Sequence, residues 1–132
     1  MTAQTRFPLL AAGIFGATGV ALGAFGAHGL QAVLVERGTA QAWESAARYQ
    51  LVHAVALLGV AAWLRAGGGA GTVRMLWAAR FWSAGIVLFS GSLYLLAWTG
   101  QPVIALITPA GGLAFIMGWL ALGLAGLKLE ER

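Results

Sequence analysis

Few residues of this 132-residue chain are of a type that does chemistry: two histidines, two tyrosines and a scatter of hydroxyl and amide side chains. His28 closes the apolar stretch ALGAFGAHGL, residues 21–30. Tyr49, Gln50 and His53 come next, then Ser90, Ser92 and Tyr94, then Thr108 followed by Pro109. A serine such as Ser90 or Ser92 becomes a nucleophile only beside a positioned base, and the base needs a group to orient it. His28 and His53 are the histidine bases on offer. There is no aspartate, and no glutamate falls inside an apolar stretch, so neither base has an acid to hold it. The sequence therefore predicts no catalytic residue. His28, His53 and Glu44 are three ligand types for a metal, but no HxH or HxxxH spacing pairs them. Cysteine is absent, which removes disulfides and thiolate sites. No metal ligand and no cofactor is assigned.

The elements that carry these residues are apolar. Hydrophobic residues make up 60% of the chain and charged residues 9%, where a soluble domain has about 25% charged residues. So few charges cannot clothe a water-facing surface, and lipid is the expected solvent. Four long apolar stretches follow one another, and a spanning helix needs about 20 such residues. Lipid offers the backbone no hydrogen bonds, so each stretch should be helical. The expectation is an all-α, integral membrane four-helix bundle forming a single transmembrane domain over 1–132. Its spans are placed at 7–28, 46–64, 78–98 and 103–127. Short connections make neighbours antiparallel, with the first and fourth spans closing the bundle. A cleavable leader over the first stretch is set aside because that stretch outruns a usual signal segment.

Charge sets the expected orientation. Arg6, Arg65, Arg74, Arg80, Lys128 and Arg132 fall on one side, and Arg37 and Arg48 on the other with Glu36 and Glu44. Positive residues mark the cytoplasmic face, so both termini are expected in the cytoplasm. With no dense basic run, nucleic acid is excluded as a partner. Trp63, Trp77 and Trp82 suit one interface, and Trp43 and Trp98 the other. Trp119 falls too deep for either.

Helices in lipid associate largely through close packing of small residues. Gly16, Gly19, Gly23 and Gly26 recur at three- and four-residue spacing on one face of the first span. Gly111 and Gly112 follow Pro109 in the fourth, where the proline is expected to kink the helix. Thr39 is placed to cap a helix that starts at Ala40, and Glu44 to pair with Arg48 four residues on.

Each span brings a polar group to one depth, in the half away from the loop Gly67-Gly68-Gly69-Ala70-Gly71 that joins the second and third spans. His28, Tyr49, Gln50, His53, Ser90, Ser92, Tyr94 and Thr108 form this candidate polar layer. Such groups avoid lipid and face inward. Two readings follow: a hydrogen-bonded network that fixes helix register, or a pocket open to the outside for a small ligand, lipid or proton.

ALGAFGAHGL, YQLVH, FSGSLY and TPAGG, in that order, resemble the signatures of a small four-span bacterial membrane family, domain of unknown function 423. The resemblance covers nearly the whole chain. It implies the four-helix fold and a multi-pass place in the bacterial inner membrane, and it carries no activity. The favoured function is thus a structural or interaction module of the membrane, in contact with the bilayer and with a second copy or another membrane protein. The alternative is a binding or transport module built on the polar layer.

Overall fold

A computed structural model describes residues 3–128, so the part of the charge argument that rests on Arg132 lies outside the described residues. The chain runs through α1 (Ala3–Ala27), α2 (Gln31–Glu36), α3 (Ala40–Arg65), α4 (Thr72–Gly85), a π-helical turn (Ile86–Ser90), α5 (Gly91–Thr99), a 3-10 turn (Pro102–Leu106) and α6 (Thr108–Leu127). Among the described residues there is no strand. Four helical units are long and apolar enough to cross a membrane: Ala3–Ala27, Ala40–Arg65, Thr72–Thr99 and Pro102–Leu127. The third unit joins α4, the π turn and α5 end to end.

The bundle is not closed in the expected way. α3 is the central helix: α1 packs along it on one side, and α4, the π turn and α5 on another. α6 packs on α4 and the π turn, and α1 and α6 do not form a packed pair. The reason is steric. On α1, Gly19, Gly23 and Gly26 all turn toward α3. They meet Leu51, Ala47 and Trp43 respectively, and a Cβ on Gly26 would fall on the Trp43 indole. On α6, Gly111, Gly118 and the partly buried Ala121 face α4 and the π turn. Each small-residue face thus commits its helix to one neighbour. α4 and α6 interlock reciprocally: Gly118 of α6 receives Trp82, and Gly85 of α4 receives Phe115.

Pro109 does not kink a helix. It sits in the first turn of α6, at a position where an N–H would have no intrahelical partner. The chain reaches it through the 3-10 turn that Pro102 opens. Gly100 ends α5 in the left-handed conformation, φ 69°, and its N–H returns to the Leu96 carbonyl at 2.8 Å. Thr39 also behaves unexpectedly. α3 does start at Ala40, but the Thr39 side chain makes no cap. Its hydroxyl donates instead to the Ala97 carbonyl at 2.9 Å and ties the start of α3 to α5.

Two apolar clusters form the core. The larger includes Leu57, Val60, Trp82, Ile86 and Phe115. The smaller gathers Leu30, Leu34, Trp43 and Ala97. On α3 the residues between them are Gln50 and His53, and on the third unit Ser90 and Ser92; all four are buried.

Candidate functional site: a polar layer between two apolar clusters

Gln50 is the hub. Its Nε2 donates to the Phe15 carbonyl of α1 at 2.9 Å and to Thr18 Oγ1 at 2.8 Å. Its Oε1 accepts from the Tyr94 hydroxyl of α5 at 2.8 Å. A backbone carbonyl only accepts, which fixes the amide nitrogen toward α1. One side chain of α3 therefore ties α1 to α5. Thr18 passes its own proton to the Ile14 carbonyl at 2.8 Å. Tyr94 also packs edge-on against Trp43, with ring centroids 4.8 Å apart.

His53 is the second node. It lies near the middle of α3, about 20 Å from either end at 1.5 Å per residue. It is 3% exposed and stacks on Phe115 at 3.7 Å between centroids, 11° from parallel. Its Nε2 accepts from the Trp119 indole N–H at 3.1 Å. An indole N–H only donates, so Nε2 carries no proton and Nδ1 does. Nδ1 then donates to the Tyr49 carbonyl one turn earlier, at 2.7 Å. Both ring nitrogens thus have protein partners.

The third node is the π turn. Its wider backbone carries Ser90 toward α3, where the hydroxyl donates to the Ala46 carbonyl at 2.7 Å. Ser92 donates to the Phe89 carbonyl at 2.9 Å and accepts from Thr108 of α6 at 2.7 Å. Against this turn lies Gly111, whose Cβ, if it had one, would fall on the Phe89 backbone. π turns occur mostly as single-turn bulges inside α-helices, and here the residues at and just after the bulge are those that reach α3 and α6.

The structure brings together Gln50, His53, Ser90, Ser92, Tyr94 and Thr108. It does not bring in His28, which lies exposed in the turn after α1, with no side-chain partner among the described residues. An ionisable side chain at a helix end meets water or headgroups at little cost, so no force draws it inward. Tyr49 contributes its carbonyl and ring to the layer: the ring packs on Phe89 and Phe115, while the residue is 44% exposed. The layer also lies deeper than expected, because α3 begins at Ala40 and so carries His53 to mid-helix. Among the packing glycines, Gly16 has nothing within 4 Å, and Gly112 meets only Phe89 Cδ2 at 3.8 Å. Glu44 pairs with Arg48 at 2.9 Å on the exposed face. Among the described residues no group of three metal-ligating side chains forms, so His28, His53 and Glu44 do not converge.

Thr18 and Trp119 are members of the layer that spacing did not single out. Trp119 had a signal: a tryptophan too deep for either interface needs an acceptor for its N–H. Trp82 lacks one. Its Nε1 is buried without a hydrogen-bond partner among the described residues.

The polar layer lies within residues 22–112 except for Thr18 and Trp119, and this same span matches the family model described as a protein of unknown function, DUF423. The UPF0382 inner membrane protein YgdD of Escherichia coli K12 is 38% identical over 130 residues, covering 97% of this chain and 95% of its own. The UPF0382 membrane protein YwdK of Bacillus subtilis is 42% identical over 109 residues, with 83% and 86% covered. A UPF0382 membrane protein of Staphylococcus epidermidis is 43% identical over 109 residues, with 83% and 85% covered. No solved structure matches the chain. Four spanning helices and a family model that takes in most of their length lead to one conclusion: the chain belongs to the DUF423 family and is a multi-pass protein of the bacterial inner membrane.

Proposed function

We propose that this protein is a structural or interaction module of the membrane, and that its polar layer is a dry network setting helix register. The observation that carries this reading is the pairing of Gln50 and His53: each polar atom of both side chains has a protein partner. Interhelical hydrogen bonds of this kind are common glue between spanning helices. No catalytic step belongs to the reading. His53 has no free nitrogen, and His28 has no acid or nucleophile bonded to it among the described residues. The surface for a second copy or another membrane protein is α1, where Gly13 and Gly16 have nothing within 4 Å and permit close approach. Both termini face the cytoplasm in this reading, on the strength of Arg6, Arg65, Arg74, Arg80 and Lys128 at one end of the bundle.

The chain has no cysteine, so single cysteines report accessibility cleanly. Ser92→Cys is nearly isosteric, and Thr108→Cys replaces a β-branched side chain with a thiol of similar volume. A dry layer leaves both unlabelled by a membrane-impermeant thiol reagent until the protein is unfolded, while His28→Cys is labelled at once. Labelling of residue 92 or 108 in the folded protein would mean an open, water-filled pocket, and the binding or transport reading would replace this one.

A further inference from the structure

α1 and α4 run in the same direction, both leaning on α3, and they leave a groove between them. Its volume is about 600 Å³. Leu10 and Ile14 line one wall; Ala84, Val87 and Leu88 line the other. Ser83 also borders the groove, but its hydroxyl is spent on the Ala79 carbonyl at 2.8 Å. The lining on α1 runs from Phe7 to Phe15, about 12 Å of helix. That is most of one leaflet's share of a hydrocarbon core about 30 Å thick.

One end of the groove is basic. Arg80 is one turn before Ala84 and stands on the lining face of α4, while Arg6, one turn before Leu10, stands at the edge of the lining face of α1. Each also immediately precedes an aromatic residue that opens a long apolar stretch, Phe7 and Phe81, and so marks the polar edge of the membrane. Both are exposed, and neither has a carboxylate partner among the described residues. The two carboxylates of the described residues, Glu36 and Glu44, lie at the opposite end of the bundle. Arg80 holds its guanidinium 5.0 Å over the Trp77 ring, and its N–H groups have no hydrogen-bond partner among the described residues.

We infer that this groove binds an anionic phospholipid, with an acyl chain along α1 and α4 and the phosphate held by Arg6 and Arg80. Arginine offers a planar fork of donors suited to phosphate oxygens. Basic clefts between spanning helices are lipid-headgroup sites on the same logic. A zwitterionic lipid brings an ammonium to the same place, and no described carboxylate stands there to receive it.

The test uses the full chain in detergent micelles, with phosphatidylglycerol and phosphatidylcholine of identical chains competing, and retained lipid read by native mass spectrometry. Retention should favour phosphatidylglycerol by on the order of tenfold. The double substitution Arg6→Gln with Arg80→Gln should bring that preference close to unity, while Arg37→Gln at the other end leaves it unchanged. Ala84→Trp fills the groove from an exposed position and should displace both lipids. Equal retention of the two lipids by the unaltered protein overturns the inference. A preference that survives the double substitution, or falls equally with Arg37→Gln, also overturns it, as does full retention in the Ala84→Trp protein.

Discussion

The Trp119 indole N–H donates to His53 Nε2 at 3.1 Å, and this bond joins α6 to α3 through the centre of the bundle. It also sets the state of the histidine. With Nε2 accepting, Nδ1 is the protonated nitrogen and is committed to the Tyr49 carbonyl. Trp119→Phe keeps a ring and removes the donor, leaving Nε2 buried and unpaired. The expected loss is about 1–2 kcal/mol of stability, measured by reversible unfolding in mixed micelles. A double-mutant cycle with His53→Phe should give a coupling of about 0.6–1.7 kcal/mol; additivity would show that the bond contributes nothing.

Gln50 serves three partners on two helices, so its loss should exceed that of any one partner. Gln50→Leu leaves the Tyr94 hydroxyl and the Thr18 oxygen without it and should cost on the order of 2 kcal/mol. Tyr94→Phe removes one bond and should cost about 1 kcal/mol. Thermal unfolding in detergent orders the two, and an equal effect would contradict the hub arrangement.

Adjacent glycines of α6 should differ sharply. At Gly111 an added Cβ would fall on the Phe89 backbone, which cannot rotate aside; at Gly112 it would meet one ring carbon at 3.8 Å. Gly111→Ala should cost about 1–3 kcal/mol as an overpacking change. Gly112→Ala and Gly16→Ala should be neutral or stabilising, since alanine is the better helix former by about 1 kcal/mol. The same unfolding assay tests all three.

Pro109 lies in the first turn of α6. Pro109→Ala should therefore change stability by no more than about 0.5 kcal/mol. A proline acting inside a helix would produce effects nearer 3 kcal/mol.

Much of the architecture was legible before folding was considered. Four apolar runs of spanning length force four helices, because lipid leaves the backbone no other partner. The start of α3 at Ala40 and the pairing of Glu44 with Arg48 are local and were readable from spacing. So was the inward turn of Gln50, His53, Ser90 and Ser92, since polar groups in a spanning helix avoid lipid. Partner choice was not readable. Periodicity finds a small-residue face, yet it does not say which neighbour will fill it. The open arrangement around α3 depends on Trp43 fitting Gly26 and Trp82 fitting Gly118. The recruitment of Thr18 and Trp119 into the layer follows from that choice. The π turn was not readable either; in the fold the backbone of its Phe89 lies directly against Gly111 of α6. Lipid alone imposes the helices, a constraint each segment meets by itself. Their mutual order rests on contacts between side chains far apart in the chain, and those come into being only when the helices meet.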